Sequence, residues 1–174
     1  MPNYTTEEYA ALLTRTFTPR CPRDSRPRCV TDVTDKGTEV LEFILPHPEE
    51  GRFSVSVRAT VAKGYVADCA LYFGQAEVAS ALDPEEVPAA IEEILSDRII
   101  AIVRYKNRDA YESHRKSSNA PSEWLYQLPD DEEILEAMQA RLSRPATLPE
   151  RLSGKYIGVF ETYRWSGSTL TERK

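Results

Sequence analysis

The chain is 174 residues long, within the range of one domain and long enough to bury a core without staples. A hydrophobic fraction of 41% with 29% charged residues fits a folded soluble protein better than a disordered one, and a net charge of −6 argues against wholesale coating of nucleic acid. No apolar run approaches the ~18–20 residues of a membrane helix.

The opening stretch, MPNYTTEEYAALL, lacks the basic and then apolar order of a secretory leader. The first element is a helix over about Thr6–Phe17. Thr5 and Glu8 have capping-box spacing, and Tyr9, Leu12, Leu13 and Phe17 recur along one side. Pro19 ends it. Residues 18–37, which include PRCPRDSRPRC, show no periodicity and are expected to be an exposed Pro/Arg-rich loop. From Thr38 to Phe73 the period changes to two. Leu41, Phe43 and Leu45 alternate in a first strand, and PHPEEG leads to a second. There Phe53, Val55, Val57, Ala59 and Val61 alternate with Arg52, Ser54, Ser56, Arg58 and Thr60, the pattern of a strand with one face buried and one wet. Lys63-Gly64 fits a tight turn, and Tyr65, Ala67, Cys69, Leu71 and Phe73 continue the alternation. These three strands read as an antiparallel meander.

A second helix is expected over about Pro84–Asp97, with Asp83 and Glu86 at capping-box spacing, although Pro88 favours a later start. Ile99–Tyr105 is apolar on both faces and reads as an interior strand. Arg108–Lys116 reads as a short helix with acids early and bases late, as the helix dipole favours. SSNAPSE is a loop, and WLYQL a short strand or packed connector. A third long helix follows, capped by Asp130 and Glu133, with Ile134, Leu135, Met138 and Leu142 on one face. PATLP breaks it. Lys155–Trp165 is a last strand, and residues 166–174 are expected to be a frayed tail. The expected fold is α+β: one globular domain over 1–174, with a mostly antiparallel sheet of about five strands (the meander plus two) and helices mainly on one face.

Charge is uneven along the chain. Residues 15–28 hold five arginines and one acid, and residues 98–116 hold six bases and two acids. The rest of the chain carries 11 bases against 25 acids. Acids line the second helix (Glu85, Glu86, Glu92, Glu93) and begin the third (Asp130, Asp131, Glu132, Glu133, Glu136). An acidic face that captures a basic protein partner is the first functional expectation. In size, acidity and element order the chain is loosely similar to small bacterial immunity, antitoxin and secretion-chaperone proteins, a likeness of class that rests on no shared motif.

The second expectation is a nucleic-acid or phosphate-ligand binder built on the two basic segments. Its candidate residues are Arg104, Lys106, Arg108, Arg115 and Lys116, with Tyr111, Trp124 and Tyr126 as aromatic contacts. No helix-turn-helix, zinc-finger or RRM signature accompanies them. The third is a small enzyme with its site near His114, close to Asp109, Glu112 and Ser113. No nucleophile elbow, phosphate loop, dinucleotide fingerprint or zincin motif supports it, and no catalytic residue is assigned. Cys21, Cys29 and Cys69 are too few for a disulfide scaffold, and the seven residues between Cys21 and Cys29 exceed the usual zinc-ligand spacing. The expectation is a cytoplasmic monomer or homodimer with no cofactor, no metal and no membrane partner, whose partner is another protein.

Overall fold

The computed structural model describes residues 4–21, 25–48, 53–116, 123–128, 132–154 and 156–174, with the backbone alone described for 123–128 and 132–136. The order is α1 (Thr6–Phe17), β1 (Arg28–Val33), β2 (Glu39–Leu45), β3 (Val55–Ala62), β4 (Tyr65–Phe73), β5 (Ala76–Leu82), α2 (Val87–Leu95), β6 (Ile100–Tyr105), α3 (Arg108–Lys116), β7 (Glu123–Leu128), α4 (Glu132–Ser143), α5 (Leu148–Ser153), β8 (Gly158–Arg164) and β9 (Gly167–Arg173). Every strand pairing among the described residues is antiparallel, the α+β class the sequence indicated. The strands form two sheets, β1-β2-β3-β4-β5 and β7-β6-β8-β9, where a single sheet of about five was expected. Each sheet belongs to one of two compact units, Met1–Ser96 and Asp97–Lys174.

In the first unit, α1 starts on the Thr5–Glu8 capping box read from the sequence. The Glu8 carboxylate accepts the Thr5 N–H at 2.9 Å, which holds that carboxyl below its ordinary range. Tyr9, Leu13 and Phe17 are buried along one stripe, against odd-numbered residues of the sheet. Phe17 meets Phe43 at 6.2 Å between ring centroids, and the Tyr9 hydroxyl lies 3.7 Å from the Cys69 sulfur while donating to the Pro84 carbonyl at 3.0 Å. That bond ties α1 to the start of α2. Burial pushes both the Tyr9 hydroxyl and the Cys69 thiol up from their ordinary pKa values. The β3–β4 turn puts Lys63 at φ +54° and Gly64 at +82°, the paired positive φ values of a type I′ hairpin turn. Helix α2 begins at Val87 with Pro88 in its first turn, and Glu86 instead closes a turn by accepting the Asp83 N–H at 3.0 Å.

Two strands of this sheet were not read from the sequence. β1 lies inside the expected loop of 18–37, and all six of its residues are exposed. An exposed edge strand has no buried face, so it leaves no alternating signal. β5 follows β4 through a turn at Gly74, and two register shifts break its pairing.

In the second unit, β6 is the central strand and is buried at five of its six positions. Ile102 and Phe160 form a core with Met138 and Leu142 of α4 and with Tyr156. The alternate residues Tyr105, Glu161 and Tyr163 lie on the opposite face, where α3 packs with Tyr111 and His114. A Cβ at Gly158 (φ +124°) would collide with the Tyr105 carbonyl, so only glycine lets β8 start against β6. The expected Asp130–Glu133 cap of α4 lies outside the described residues. Past α4, PATLP carries the start of a further helix, α5, opened by a Thr147–Glu150 capping box.

Residues 166–174, expected as a frayed tail, instead contain β9, which pairs with β8 over seven residues. The strand is anchored by Arg173, 4% exposed. Its guanidinium donates to the carbonyls of Arg144 (3.2 Å) and Tyr156 (2.9 Å) and to the Glu150 carboxylate (3.2 Å). Threonine and serine dominate β9 and only its last arginine is buried, so no apolar alternation marked it in the sequence.

Two predictions follow from this corner. Arg173→Ala removes three acceptors' partner from a buried position and is expected to destabilise the second unit by about 2–4 kcal/mol in urea unfolding. Glu150 accepts the Thr147 N–H and the Arg144 guanidinium, which hold its carboxyl down at about 2 against an ordinary 4.5. A lowered native pKa stabilises above the ordinary value and is lost as pH falls through the native one. The Tm advantage of the native chain over Glu150→Gln is therefore expected to be full at neutral pH and to shrink between pH 4.5 and about 2.

Candidate functional site

The residues singled out for a basic site fall around β6 and α3. Alternation turns Arg104 to the α4 side, where Nε donates to the Ile157 carbonyl at 2.7 Å and Nη2 to the Gly154 carbonyl at 2.8 Å. Gly154 is the left-handed C-cap of α5, so Arg104 satisfies a helix end. On the other face Tyr105 is the hub. Its ring lies 5.3 Å from that of Tyr111 and 5.4 Å from that of His114, and its hydroxyl donates to Glu161 at 3.1 Å. Glu161 is 1% exposed, and both Tyr111 and His114 are 6% exposed, so the aromatic and histidine members of the candidate set are core groups.

The cations stand outside that core. Arg108 and Arg115 lie over the Tyr111 ring at 5.4 and 5.9 Å, and Arg108 pairs with Glu112 at 3.4 Å. Lys106 and Lys116 are exposed. Trp124 and Tyr126 lie on β7, where their backbones pair with Val103 and Ile102. The structure thus brings Tyr105, Tyr111, His114, Arg108 and Arg115 together and turns Arg104 away. The basic segment 15–28 belongs to the first unit and the segment 98–116 to the second. A cavity of about 580 Å³ in the second unit is lined by Leu142–Ala146 and Thr171–Lys174. Its cations are paired, Arg144 and Arg173 with Glu150 and Lys174 with Glu172.

The acidic residues divide unequally. Counted over the units, residues 1–96 carry 9 bases against 16 acids and residues 97–174 carry 13 against 12. The net negative charge therefore lies in the first unit. On α2, Glu92 is engaged by both oxygens with Arg20 (3.2 and 3.0 Å). The side chains of Glu132, Glu133 and Glu136, and residues Asp130 and Asp131, lie outside what is described.

The sheet itself supplies the charged surface that sequence reasoning assigned to helices. Odd-numbered residues of β1, of β2, of β3 up to Ala59 and of β4 from Cys69 share the side of α1 and α2, while past the bulge at Ala59/Val61 the parity of β4 reverses and Val66 is buried. The alternate residues face away, and neither helix of the unit lies on that side. This face holds Asp32, Glu42, Asp68 and Glu77 against Arg28 and Arg58, around Tyr72 and the apolar Val30, Val40 and Ile44. A ladder crosses four strands. Arg58 approaches Glu42 at 3.4 Å and lies 5.9 Å from the Tyr72 ring centre, and the Tyr72 hydroxyl donates to Glu77 at 3.2 Å. Burial, and then the Glu77 carboxylate, push the Tyr72 hydroxyl up in pKa. The signal was present in the sequence as the polar half of the Arg52–Thr60 alternation.

Comparison with protein-family models, with curated proteins and with solved structures returns no match. Among the described residues no group of three or more His, Cys, Asp and Glu could hold a metal ion, and the three cysteines are free thiols. No described helix is long and apolar enough to cross a membrane.

The Tyr105–Glu161 bond has a direct consequence. Tyr105→Phe takes a donor from a buried carboxylate while keeping the ring, and is expected to cost about 1–3 kcal/mol. The check is chemical unfolding, with Lys116→Ala as the exposed comparison expected to fall within about 0.5 kcal/mol.

Proposed function

We propose that the chain is a non-enzymatic protein-binding module whose first unit presents the helix-free face of its sheet to a basic partner. One observation carries this reading: four carboxylates face two guanidinium groups on a broad sheet surface, in a unit with 9 bases and 16 acids. Such a field speeds capture of a positively charged protein and disfavours acidic competitors. Tyr72 and the neighbouring Ile44 and Val30 supply apolar and aromatic area inside the charged ladder, the composition of a binding patch with a polar rim. An immunity- or antitoxin-like role, masking a basic partner, is the form that the size and acidity of the chain fit. The reading takes the chain as cytoplasmic and without a cofactor.

The enzyme reading is less supported. His114 and Glu161 are packed under Tyr105 and Tyr111, and a general acid or base must reach its substrate. The nucleic-acid reading loses its stacking platform, because Tyr111 is buried, and keeps Lys106, Arg115 and Lys116 as exposed cations.

The test is capture from source lysate, with nuclease, by three forms of the tagged chain. The native form and an Arg115→Glu/Lys116→Glu form are expected to recover the same basic protein. An Asp68→Lys/Glu77→Lys form is expected to lose it by tenfold or more, and recovery by the native form is expected to fall steeply with salt. Recovery that is destroyed by nuclease, or lost in the Arg115/Lys116 form alone, would instead establish the basic site.

A further inference from the structure

We propose that two copies of this chain associate by pairing β1 with β1, antiparallel, about a two-fold axis through Val30. The inference does not depend on the basic-partner reading, because it rests on the main-chain groups of the open edge, although Arg28, Val30 and Asp32 also lie on the helix-free face.

β1 is the terminal strand of its sheet and pairs with β2 in unbroken register from Arg28↔Ile44 to Val33↔Glu39. The opposite edge, β5, is interrupted by two register shifts and by Ala81 at φ +54°, devices that blunt a strand edge. β1 has no such interruption, and its β-branched residues Val30, Thr31 and Val33 suit an extended chain. Val30 and Val33 are 51% and 61% exposed, so nothing in the unit covers them.

The hydrogen-bond phase of β1 is fixed by the hairpin beside it. The Thr34 N–H donates to the Thr38 carbonyl at 2.9 Å, in line with the register of the ladder. Because the period is two, Arg28, Val30 and Asp32 direct their main-chain groups to β2. Cys29, Thr31 and Val33 therefore direct theirs to the open edge. Val33 fits this assignment, since its N–H is taken by the Asp32 carboxylate at 2.8 Å rather than by β2. Among the described residues no strand lies beyond β1 to match the donors and acceptors of Cys29 and Thr31.

A second β1 matches them in one register. With the axis at Val30, Cys29 of each copy exchanges both main-chain bonds with Thr31 of the other. Val30 then meets Val30 at a closely spaced, non-hydrogen-bonded position. Arg28 falls opposite Asp32 of the second copy, and Asp32 opposite its Arg28, all on the helix-free face. Opposite charges directly across a strand pair attract and like charges repel. The sequence Arg-Cys-Val-Thr-Asp is thus complementary to itself when reversed. A slip of two residues in either direction would put a charge opposite Val30 and lose both ion pairs. Edge charges of one sign would keep a second copy away, whereas these specify it.

Sedimentation velocity of the purified full chain over a wide concentration range tests the pairing. The native chain is expected to dimerise reversibly, and Arg28→Asp and Asp32→Arg are each expected to weaken the dimer by about tenfold or more. The exchange Arg28→Asp/Asp32→Arg is expected to restore it, which a folding defect would not do. Register is read separately. In a Cys29→Ser background, Val30→Cys is expected to form an intermolecular disulfide on mild oxidation, because the two side chains meet at the axis. Arg28→Cys in the same background is expected not to. A chain that stays monomeric at every concentration, or a dimer unmoved by both single charge changes, overturns the proposal. Partner capture from lysate is a separate measurement, so failure of either leaves the other standing.

Discussion

The first unit is governed by a mismatch between what its sheet exposes and what its helices can cover. Five strands at about 4.8 Å spacing span roughly 19 Å, and two helices packed about 10 Å apart cover roughly that width once. Both helices are needed on the odd-numbered face, where Leu41, Phe43, Val57, Leu71 and Phe73 are buried. No third α-helix among the described residues of the unit is left for the even-numbered face. That face must therefore remain compatible with water, and the alternation of Arg58, Ser56 and Thr60 with Val55, Val57 and Ala59 meets the requirement. The charged ladder from Glu42 to Glu77 follows from the same constraint, as does the bare edge at β1.

The second unit solves the same problem differently. Its central strand is apolar on both sides, so each face receives a helix, α4 on one and α3 on the other. With both faces covered, polar side chains on the central strands cannot reach water freely and must find partners inside. Arg104 meets the carbonyls of Ile157 and Gly154, Tyr105 meets Glu161, and Arg173 meets two carbonyls and Glu150. An unpartnered donor or acceptor in such a place costs about as much as several exposed contacts contribute. These bonds turn Arg104 inward, while Arg98 before β6 and Lys106, Arg108, Arg115 and Lys116 after it are exposed.

The parts of the fold that were legible in the sequence are those with one buried face. The boundaries of α1 and α3, the alternation of β3 and β4 and the Lys63-Gly64 turn were all read correctly, because burial on one side imposes a period and a turn imposes positive φ. β1, β5 and β9 left no comparable trace. β1 buries nothing, β5 is out of step with β4, and β9 buries little besides an arginine. The candidate site shows the same limit. Composition placed six bases within 98–116 but could not give their directions, and one step of the pleat separates Arg104, inward on the α4 side, from the tyrosine that anchors α3. Pleat parity would have revealed the inward turn only if β6 had been known to have helices on both sides.

The two basic segments, conspicuous together in an acidic chain, prove to have different surroundings. Arg20 of the first neutralises Glu92 beside α2, in the unit that holds the chain's excess of carboxylates. The second lies in a unit that is nearly neutral, where Arg108 and Arg115 bracket a buried tyrosine and Arg115 complements the C-terminal end of a nine-residue helix. A cation that closes an aromatic core is held by that core, and its attraction for an outside phosphate competes with the interactions it already makes. The carboxylates of the first sheet are in the opposite situation. Asp68 and Glu77 are exposed on a surface that no helix of their unit covers, and Glu42 shares one arginine with Tyr72. Net field and access coincide there and diverge at α3, and this contrast is the physical ground for proposing the acidic sheet face rather than the basic helix as a binding surface.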